Sequence, residues 1–187
     1  MHASSTSDVT LGQIVTGAIP APPTATRRVL VGGVGYTNLR DLSVGPLLVE
    51  RLRRSAWPDG VDIEDLSAGA IHVLHALQAG PAHDAAILVA GVRRGGPPGT
   101  IRMQRWAHAR QTGEAVQGRV AEALGGLIDL DTLVTVLDHF EALPRDTWII
   151  EIEPRDEDWG ESLSPPVGAI LDEVERLVRR AVEEALG

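Results

Sequence analysis

The pattern of apolar and polar positions predicts five strands. Residues 28–34 and 85–92 are apolar almost throughout, which is typical of strands covered on both faces of a sheet. Residues 61–66 alternate between polar and apolar, as a strand with one covered face does. Residues 100–106 follow a loop rich in Gly and Pro and are typical of an edge strand, and residues 148–152 form the last strand.

Two segments between the first strands carry apolar residues at helical spacing. Ser43 is placed to cap a first helix. The apolar stripe of that helix consists of Leu47, Leu48 and Leu52. A second helix opens at Ser67 and Gly69 and ends at Gly80. Its apolar face consists of Ile71, Leu74 and Leu77.

Two further helices are predicted in the second half of the chain. Asp129 or Asp131 caps a helix that Pro144 closes, with apolar residues Leu133, Val134, Val136, Leu137 and Phe140. Ser164, followed by two prolines, starts one long final helix. Its apolar face consists of Ile170, Val174, Leu177, Val178 and Val182. Residues 107–126 have the weakest pattern and are predicted to be partly helical.

Strands separated by helices predict an α/β fold, a three-layer α/β/α sandwich around a mostly parallel five-stranded sheet. Ligands of such folds bind at the carboxyl ends of the strands, near the point where the strand order reverses. The loops at 35–43, 67–69 and 90–99 then lie along one edge of the sheet. We expect a binding cleft there.

Composition narrows the class of protein. A chain of 187 residues with 43% hydrophobic content is long enough for one domain with a sizeable core. The 26 acidic against 17 basic residues, a net charge of -9, disfavour a broad nucleic-acid surface. The absence of cysteine excludes disulfides and thiolate chemistry and fits a cytoplasmic protein. No apolar run approaches the ~20 residues that cross a membrane.

The beginning of the chain has a composition of its own. Residues 1–26 are rich in Ser, Thr, Ala and Pro, and Asp8 and other polar residues interrupt the apolar segment that a signal peptide requires. We therefore predict a disordered tail at 1–26 and a single α/β domain at 27–187.

Five short segments carry a more specific signal. They are VLVGGVGYTNLRDLSVGP at 29–46, DLSAG at 65–69, AGVRRGGPPGT at 90–100, EIEP at 151–154 and LSP at 163–165. In this order and at these spacings they resemble the hydrogenase maturation endopeptidases, which trim the C-terminus of the large subunit of nickel-iron hydrogenases. The resemblance covers 28–187. It implies the fold of that family and, as partner, the hydrogenase large subunit or another maturation factor.

The resemblance also implies where the family's three metal-binding side chains would stand. These positions fall on Leu42, Ala90 and Gly126. In the family the metal is the nickel already held by the hydrogenase precursor, so the site serves recognition of the substrate. Leucine, alanine and glycine offer no side-chain oxygen or nitrogen to a metal. We therefore predict no metal site, no cofactor and no catalytic residue of the usual kind, and whether the chain is an enzyme stays open.

The expected partner-binding cleft comprises Tyr36, Asn38, Arg40, Asp41, Leu42, Ala90 and Arg93. Asp41 has two interpretations: a lone carboxylate for a metal or a substrate amine, or a loop cap that accepts hydrogen bonds from backbone amides. Arg40, Arg93 and Arg94 can bind an anion or an acidic peptide end beside it, or be solvated as loop arginines usually are.

Three other groups of residues give weaker evidence for a chemical site. The GGVG stretch lacks the glycine with which a dinucleotide-binding helix begins. His72 and His75 share a helix face without an evident carboxylate partner, which favours a solvated surface. Asp138 and His139 are adjacent on a helix, so their side chains diverge by about 100°.

Two functions remain. The first is a non-catalytic binding or assembly factor in maturation of the nickel-iron hydrogenase large subunit. The alternative is an active endopeptidase that removes the C-terminal extension of the large-subunit precursor with an altered metal-recognition site.

Overall fold

Five strands form one sheet in the computed structural model, which describes residues 26–108, 113–124 and 129–187. They are β1 Val29–Val34, β2 Val61–Asp65, β3 Ala85–Gly91, β4 Ile101–Arg105 and β5 Asp146–Ile152. The order across the sheet is β2-β1-β3-β5-β4, and β4 alone among these strands runs antiparallel to its neighbour. The prediction of a mostly parallel five-stranded sheet is confirmed, with β4 at an edge.

Helices follow β1, β2, β4 and β5 along the chain, and a loop alone connects β3 with β4. They are α1 Val44–Leu52, α2 Ala70–Ala79, α3 Gly113–Leu124, α4 Leu130–His139, α5 Pro165–Gly168 and α6 Leu171–Leu186. A 3-10 turn at Arg40–Ser43 leads directly into α1. The segment with the weakest pattern therefore contains α3, as predicted in part.

The sheet separates two hydrophobic cores, and successive residues of one strand serve opposite cores. Val29 and Val31 of β1 pack with α1 and α6, whereas Leu30 and Val34 pack with α2 and α4. Both faces of β1 and β3 are thus covered, which explains why these strands are apolar almost throughout. The three-layer α/β/α arrangement follows.

The connections define where a cleft opens. The chain leaves β1 for β2 on one side and then returns to β3 on the other side of β1. The loops that follow β1 and β3 therefore diverge, and a crevice forms at the carboxyl ends of these two strands.

The last helix differs from its prediction, because two helices replace one. α5 ends at Gly168 and α6 begins at Leu171. The start of α5 is fixed by hydrogen bonds from Ser164 to Asp41, whereas α6 is oriented by its apolar stripe against the sheet. Residues 169 and 170 form a turn between the two helices.

Two local predictions are wrong. The Ser43 side chain caps no amide of α1, because its Oγ accepts a hydrogen bond from the backbone N–H of Leu39, 3.1 Å away. Phe140 is not a core residue of α4, since the helix ends at His139 and Phe140 is 45% exposed. Leu143 fills that part of the core instead. The cap of α4 is Asp129, whose Oδ1 accepts from the N–H of Thr132 at 2.8 Å.

Some predictions fall outside the described residues. They are the disordered state of 1–25 and the position of the third metal-binding side chain at Gly126. Within the ranges that the structure describes, no helix combines the length and the apolar character needed to cross a membrane.

Candidate partner-binding cleft

The crevice between β1 and β3 is a cavity of about 400 Å³. Its floor and walls are mainly apolar, and its rim carries charge. The lining residues are Val34, Gly35, Tyr36, Leu39, Leu42, Ala90, Gly91, Val92, Arg93, Asp129, Leu130, Asp131 and Glu157. A cavity of this size and character fits a peptide side chain or a short peptide segment.

Two glycines hold the loop at 36–43 directly on the ends of the strands. A Cβ built on Gly35 would lie 2.1 Å from the carbonyl oxygen of Leu42, and one built on Gly91 would lie 2.5 Å from that of Asp41. Any side chain at these positions would displace the loop. The close approach fixes Leu42 against the cleft.

The structure brings four of the predicted cleft residues together and places three elsewhere. Tyr36, Leu42, Ala90 and Arg93 line the cavity. Asn38, Arg40 and Asp41 do not line it; they fasten the loop to the segment 153–164 behind it.

Asn38 and Arg40 make this connection through their backbones. Both have positive φ angles, 65° and 38°. The N–H of Gly160 donates to the carbonyl oxygen of Asn38 at 2.8 Å, and the N–H of Arg40 donates to that of Gly160 at 2.9 Å. Arg40 also forms an ion pair with Asp156, with 3.3 Å between Nε and Oδ2.

Asp41 is fully buried and makes the same connection through its side chain. Its carboxylate accepts hydrogen bonds from the backbone N–H groups of Arg155, Asp156 and Ser164 and from the Ser164 hydroxyl, at 2.6 to 3.0 Å. Burial by itself raises the pKa of Asp41, but these donors, the Ser164 hydroxyl first, lower the pKa below its ordinary value. Of the two interpretations, the geometry is that of the loop cap.

A cluster of ion pairs stands beside the cleft, and sequence reasoning did not predict it. The Arg94 guanidinium donates to both oxygens of Asp131, at 2.6 and 2.9 Å, and to Oε1 of Glu151 at 2.6 Å. Arg93 Nε donates to Glu157 at 2.8 Å. Two of the three acids in the cleft lining are therefore paired with arginines.

Glu153, just beyond β5, organises the loop at 94–99. Its side chain is 1% exposed and accepts from the backbone N–H groups of Arg94 and Gly95 and from Arg102 Nη1, at 3.0 to 3.1 Å. Burial raises the pKa of Glu153, but Arg102 and the loop amides outweigh it and lower the pKa to about 2. The acids at 151 and 153 were a usable signal, since acids in a buried strand require cationic or amide partners.

The remaining sequence candidates lie away from the cleft. His75 on α2 is exposed. His72 belongs to a separate cavity of about 380 Å³ between α2 and β2. Asp138 accepts hydrogen bonds from Trp106 Nε1 at 3.2 Å and pairs with His108 at 2.6 Å, which is a structural role.

Comparison with known proteins identifies the fold. The hydrogenase maturating endopeptidase HybD from E. coli superposes with a TM-score of 0.64 at 22% identity, over 84% of this chain and 93% of that one. A hydrogenase 2 maturation peptidase from Thaumarchaeota archaeon gives 0.59 at 26% identity, over 83% and 98%. The chain has the fold of the hydrogenase maturation endopeptidases. The resemblance inferred from the five sequence segments is confirmed.

A further structure with this endopeptidase fold is the hydrogenase maturation protease HycI from Thermococcus kodakarensis, with a TM-score of 0.62 at 18% identity over 86% of this chain and 95% of that one. No protein-family model and no curated protein matches the chain.

Two of the positions that the endopeptidase resemblance assigns to metal binding, Leu42 and Ala90, both line the cleft. Neither side chain has a donor atom, so these residues do not fit a metal. In the three ranges described, no three His, Asp or Glu side chains converge closely enough to hold an ion.

Proposed function

We propose that this protein binds the large subunit of a nickel-iron hydrogenase during its maturation and does not cleave it. The observation that carries the proposal is that Leu42 and Ala90 line the cleft of a chain with the hydrogenase maturation endopeptidase fold. A cleft with these side chains contacts a partner by shape and apolar burial instead of coordinating its nickel.

The charges around the cleft support a binding role. Arg94 holds Asp131, and Arg93 holds Glu157. A carboxylate that accepts two hydrogen bonds from a guanidinium has little remaining capacity to ligate a metal, because the cation competes for the same lone pairs. The partner is the large subunit or another maturation factor, and we place the interaction in the cytoplasm without nucleic acid.

The first prediction is a direct test. Protein mixed with a nickel-loaded large-subunit precursor should form a complex that co-elutes in gel filtration, while mass spectrometry shows the precursor at full length. Loss of a C-terminal peptide would contradict the non-catalytic role. A precursor that neither binds nor shortens would contradict the large subunit as the partner.

One observation favours the alternative, an active endopeptidase with an altered metal-recognition site. Asp129 lines the cleft, and its buried Oδ2 has no hydrogen-bond partner among the residues that the structure describes, while Oδ1 caps α4. A carboxylate oxygen in this state can take a cation. Calorimetry separates the two functions: the binding role predicts no saturable nickel binding near stoichiometric concentration, and the alternative predicts one site that is lost in Asp129→Asn.

A further inference from the structure

Trp159 is the most exposed large apolar side chain of the described residues. It is 77% exposed, whereas the other tryptophans, Trp57, Trp106 and Trp148, are partly buried. Tryptophan is the residue type that contributes most often to the energetic centre of protein interfaces. An indole in water at this position therefore indicates a contact surface.

The backbone around Trp159 is held on both sides. Before it, the N–H groups of Arg155 and Asp156 donate to Asp41, and the N–H of Asp158 donates to Asp156 Oδ1 at 3.0 Å. After it, Gly160 exchanges two backbone hydrogen bonds with the loop at 38–40. An interface residue on a fixed backbone loses little conformational entropy when a partner binds.

The surroundings of Trp159 are acidic. Residues 155–161 carry four carboxylates and one arginine. Asp156 and Glu157 are paired with Arg40 and Arg93, so the exposed Asp158 and Glu161 are the acids that flank the indole without an ion pair among the described residues. The local field favours a cation.

The other tryptophans indicate which cation fits. The Arg105 guanidinium lies 4.2 Å from the ring centre of Trp148, and that of Arg179 lies 4.3 Å from that of Trp57. Arginine stacks on indole because the flat guanidinium meets the negative face of the ring. Within the described ranges, no arginine stacks on Trp159 in this way.

We propose that Trp159, Asp158 and Glu161 form a docking surface for an arginine-bearing segment of a protein partner. The indole stacks on the guanidinium, and the two acids pair with it or with a neighbouring basic side chain. The surface adjoins the cleft, since Glu157 lines the cleft and Gly160 pairs with the cleft residue Leu39. A segment seated in the cleft is therefore within reach of Trp159. The inference stands whether or not the cleft takes the hydrogenase large subunit.

The test uses the whole protein and two short peptides, acetyl-Ala-Arg-Ala-Arg-Ala-amide and its counterpart with Gln at both Arg positions. Titrations are followed by two-dimensional NMR of the backbone and indole N–H groups. The arginine peptide should shift the Trp159 indole and the amides of 156–161 in a saturable way, and the glutamine peptide should not. High salt, about 1 M, should weaken the binding, because it shortens the Debye length to about 3 Å.

Three variants assign the effect. Trp159→Ala should weaken the arginine peptide about tenfold, and Asp158→Asn with Glu161→Gln about threefold. Phe140→Ala is the matched control, because Phe140 is the other exposed large apolar residue in the described part of the chain and lies at the far end of α4 from the cleft. It should leave the affinity unchanged.

Several results overturn the inference: no saturable shift with the arginine peptide, equal shifts with the glutamine peptide, or an equal loss in Phe140→Ala and Trp159→Ala. Failure of the precursor to bind while the arginine peptide binds through Trp159 would overturn the proposed function alone. A precursor complex unaffected by Trp159→Ala, with no peptide binding, would overturn this inference alone.

Discussion

Asp41 is the residue on which the construction of the cleft depends. Its donors are 114 to 123 residues away in sequence, so one carboxylate ties the first loop of the chain to the segment after the last strand. A buried charge is tolerated only when its hydrogen-bonding capacity is filled, and four donors fill it here. The residue next to it, Leu42, then has a fixed position in the cleft.

Replacement of Asp41 by Asn should lower the free energy of unfolding by about 3 kcal/mol, because an amide NH₂ group would face backbone donors and the charge-assisted bonds would be lost. Urea denaturation at neutral pH measures the change. Asp59→Asn is the control, since Asp59 is an exposed loop residue, and its effect should stay within about 0.5 kcal/mol. Equal effects of the two substitutions would show that Asp41 has no special structural role.

At the scale of elements, Glu153 joins β5 to the loop that connects β3 with β4. The loop residues Arg94 and Gly95 donate their backbone N–H groups to it, and Arg102 of β4 donates from its side chain. Arg94 in turn reaches Asp131 on α4 and Glu151 on β5. The Gly- and Pro-rich loop is therefore anchored to β4, β5 and α4.

The hydrogen bonds to Glu153 predict that the stability of the folded protein depends on pH. Because the pKa of Glu153 is lowered from 4.5 to about 2 in the folded protein, its contribution to stability is complete above the pKa of the unfolded chain, near 4.5. The contribution is lost as the pH falls through this window toward 2. Urea midpoints measured from pH 7 down to pH 2.5 should therefore fall less steeply in Glu153→Gln than in the unmodified protein.

The control for that series is Glu50→Gln, since Glu50 is exposed on α1. The urea midpoint of Glu50→Gln should fall with decreasing pH as steeply as that of the unmodified protein. The pKa of Asp41 is lowered too, which adds to the loss in the same direction in every variant that retains it. If the urea midpoints of Glu153→Gln and the unmodified protein fell equally steeply with pH, Glu153 would not be the source of the acid sensitivity.

For the molecule as a whole, the fold is separable from metal binding, because it forms without a metal-binding side chain at positions 42 and 90. The chain has the endopeptidase fold, yet the two cleft positions that resemblance assigns to metal ligands hold Leu42 and Ala90. Neither residue is needed as a ligand for folding, because the surrounding loop is fixed by Gly35, Gly91 and Asp41.

This separation predicts that metal binding can be introduced. Leu42→Glu with Ala90→Asp puts two carboxylates into the cleft that Asp129 also lines, and Asp129 Oδ2 has no hydrogen-bond partner within the described ranges. Oxygen donors bind divalent nickel. Nickel should raise the melting temperature of the double variant and leave that of the unmodified protein unchanged. Leu39→Glu, with one acid elsewhere in the lining, is the control. If nickel did not change the melting temperature of the double variant, the assignment of positions 42 and 90 to metal binding would be contradicted.

The periodicity of apolar residues predicted most of the strands and helices. The strands β1 and β3 are recognisable because both faces are covered, and β2 because one face is. Helix ends set by tertiary contacts were not predictable in the same way. Ser164, at the start of α5, donates to Asp41 far away in the sequence, and Leu143, beyond the end of α4, belongs to the core whereas Phe140 is exposed.

A cavity lies where the sequence predicts the cleft, and four of the seven expected residues line it. Tyr36, Leu42, Ala90 and Arg93 follow from their place at or beyond the carboxyl ends of β1 and β3. The roles of Asp41 and Arg94 rest on partners far away in sequence, which local patterns do not specify. The rim acids at 129, 131 and 157 come from segments that only the folded chain brings together.

The tie between Asp41 and the segment at 153–164 has a kinetic consequence. Because Asp41 holds the loop at 36–43 and the segment at 153–164 together, we expect the cleft to keep its shape when a peptide segment binds. A bound segment must therefore adopt the shape of the cleft, and the loss of conformational entropy on binding falls mainly on that segment. Pre-bent or cyclised versions of a bound segment should consequently attach faster than linear ones.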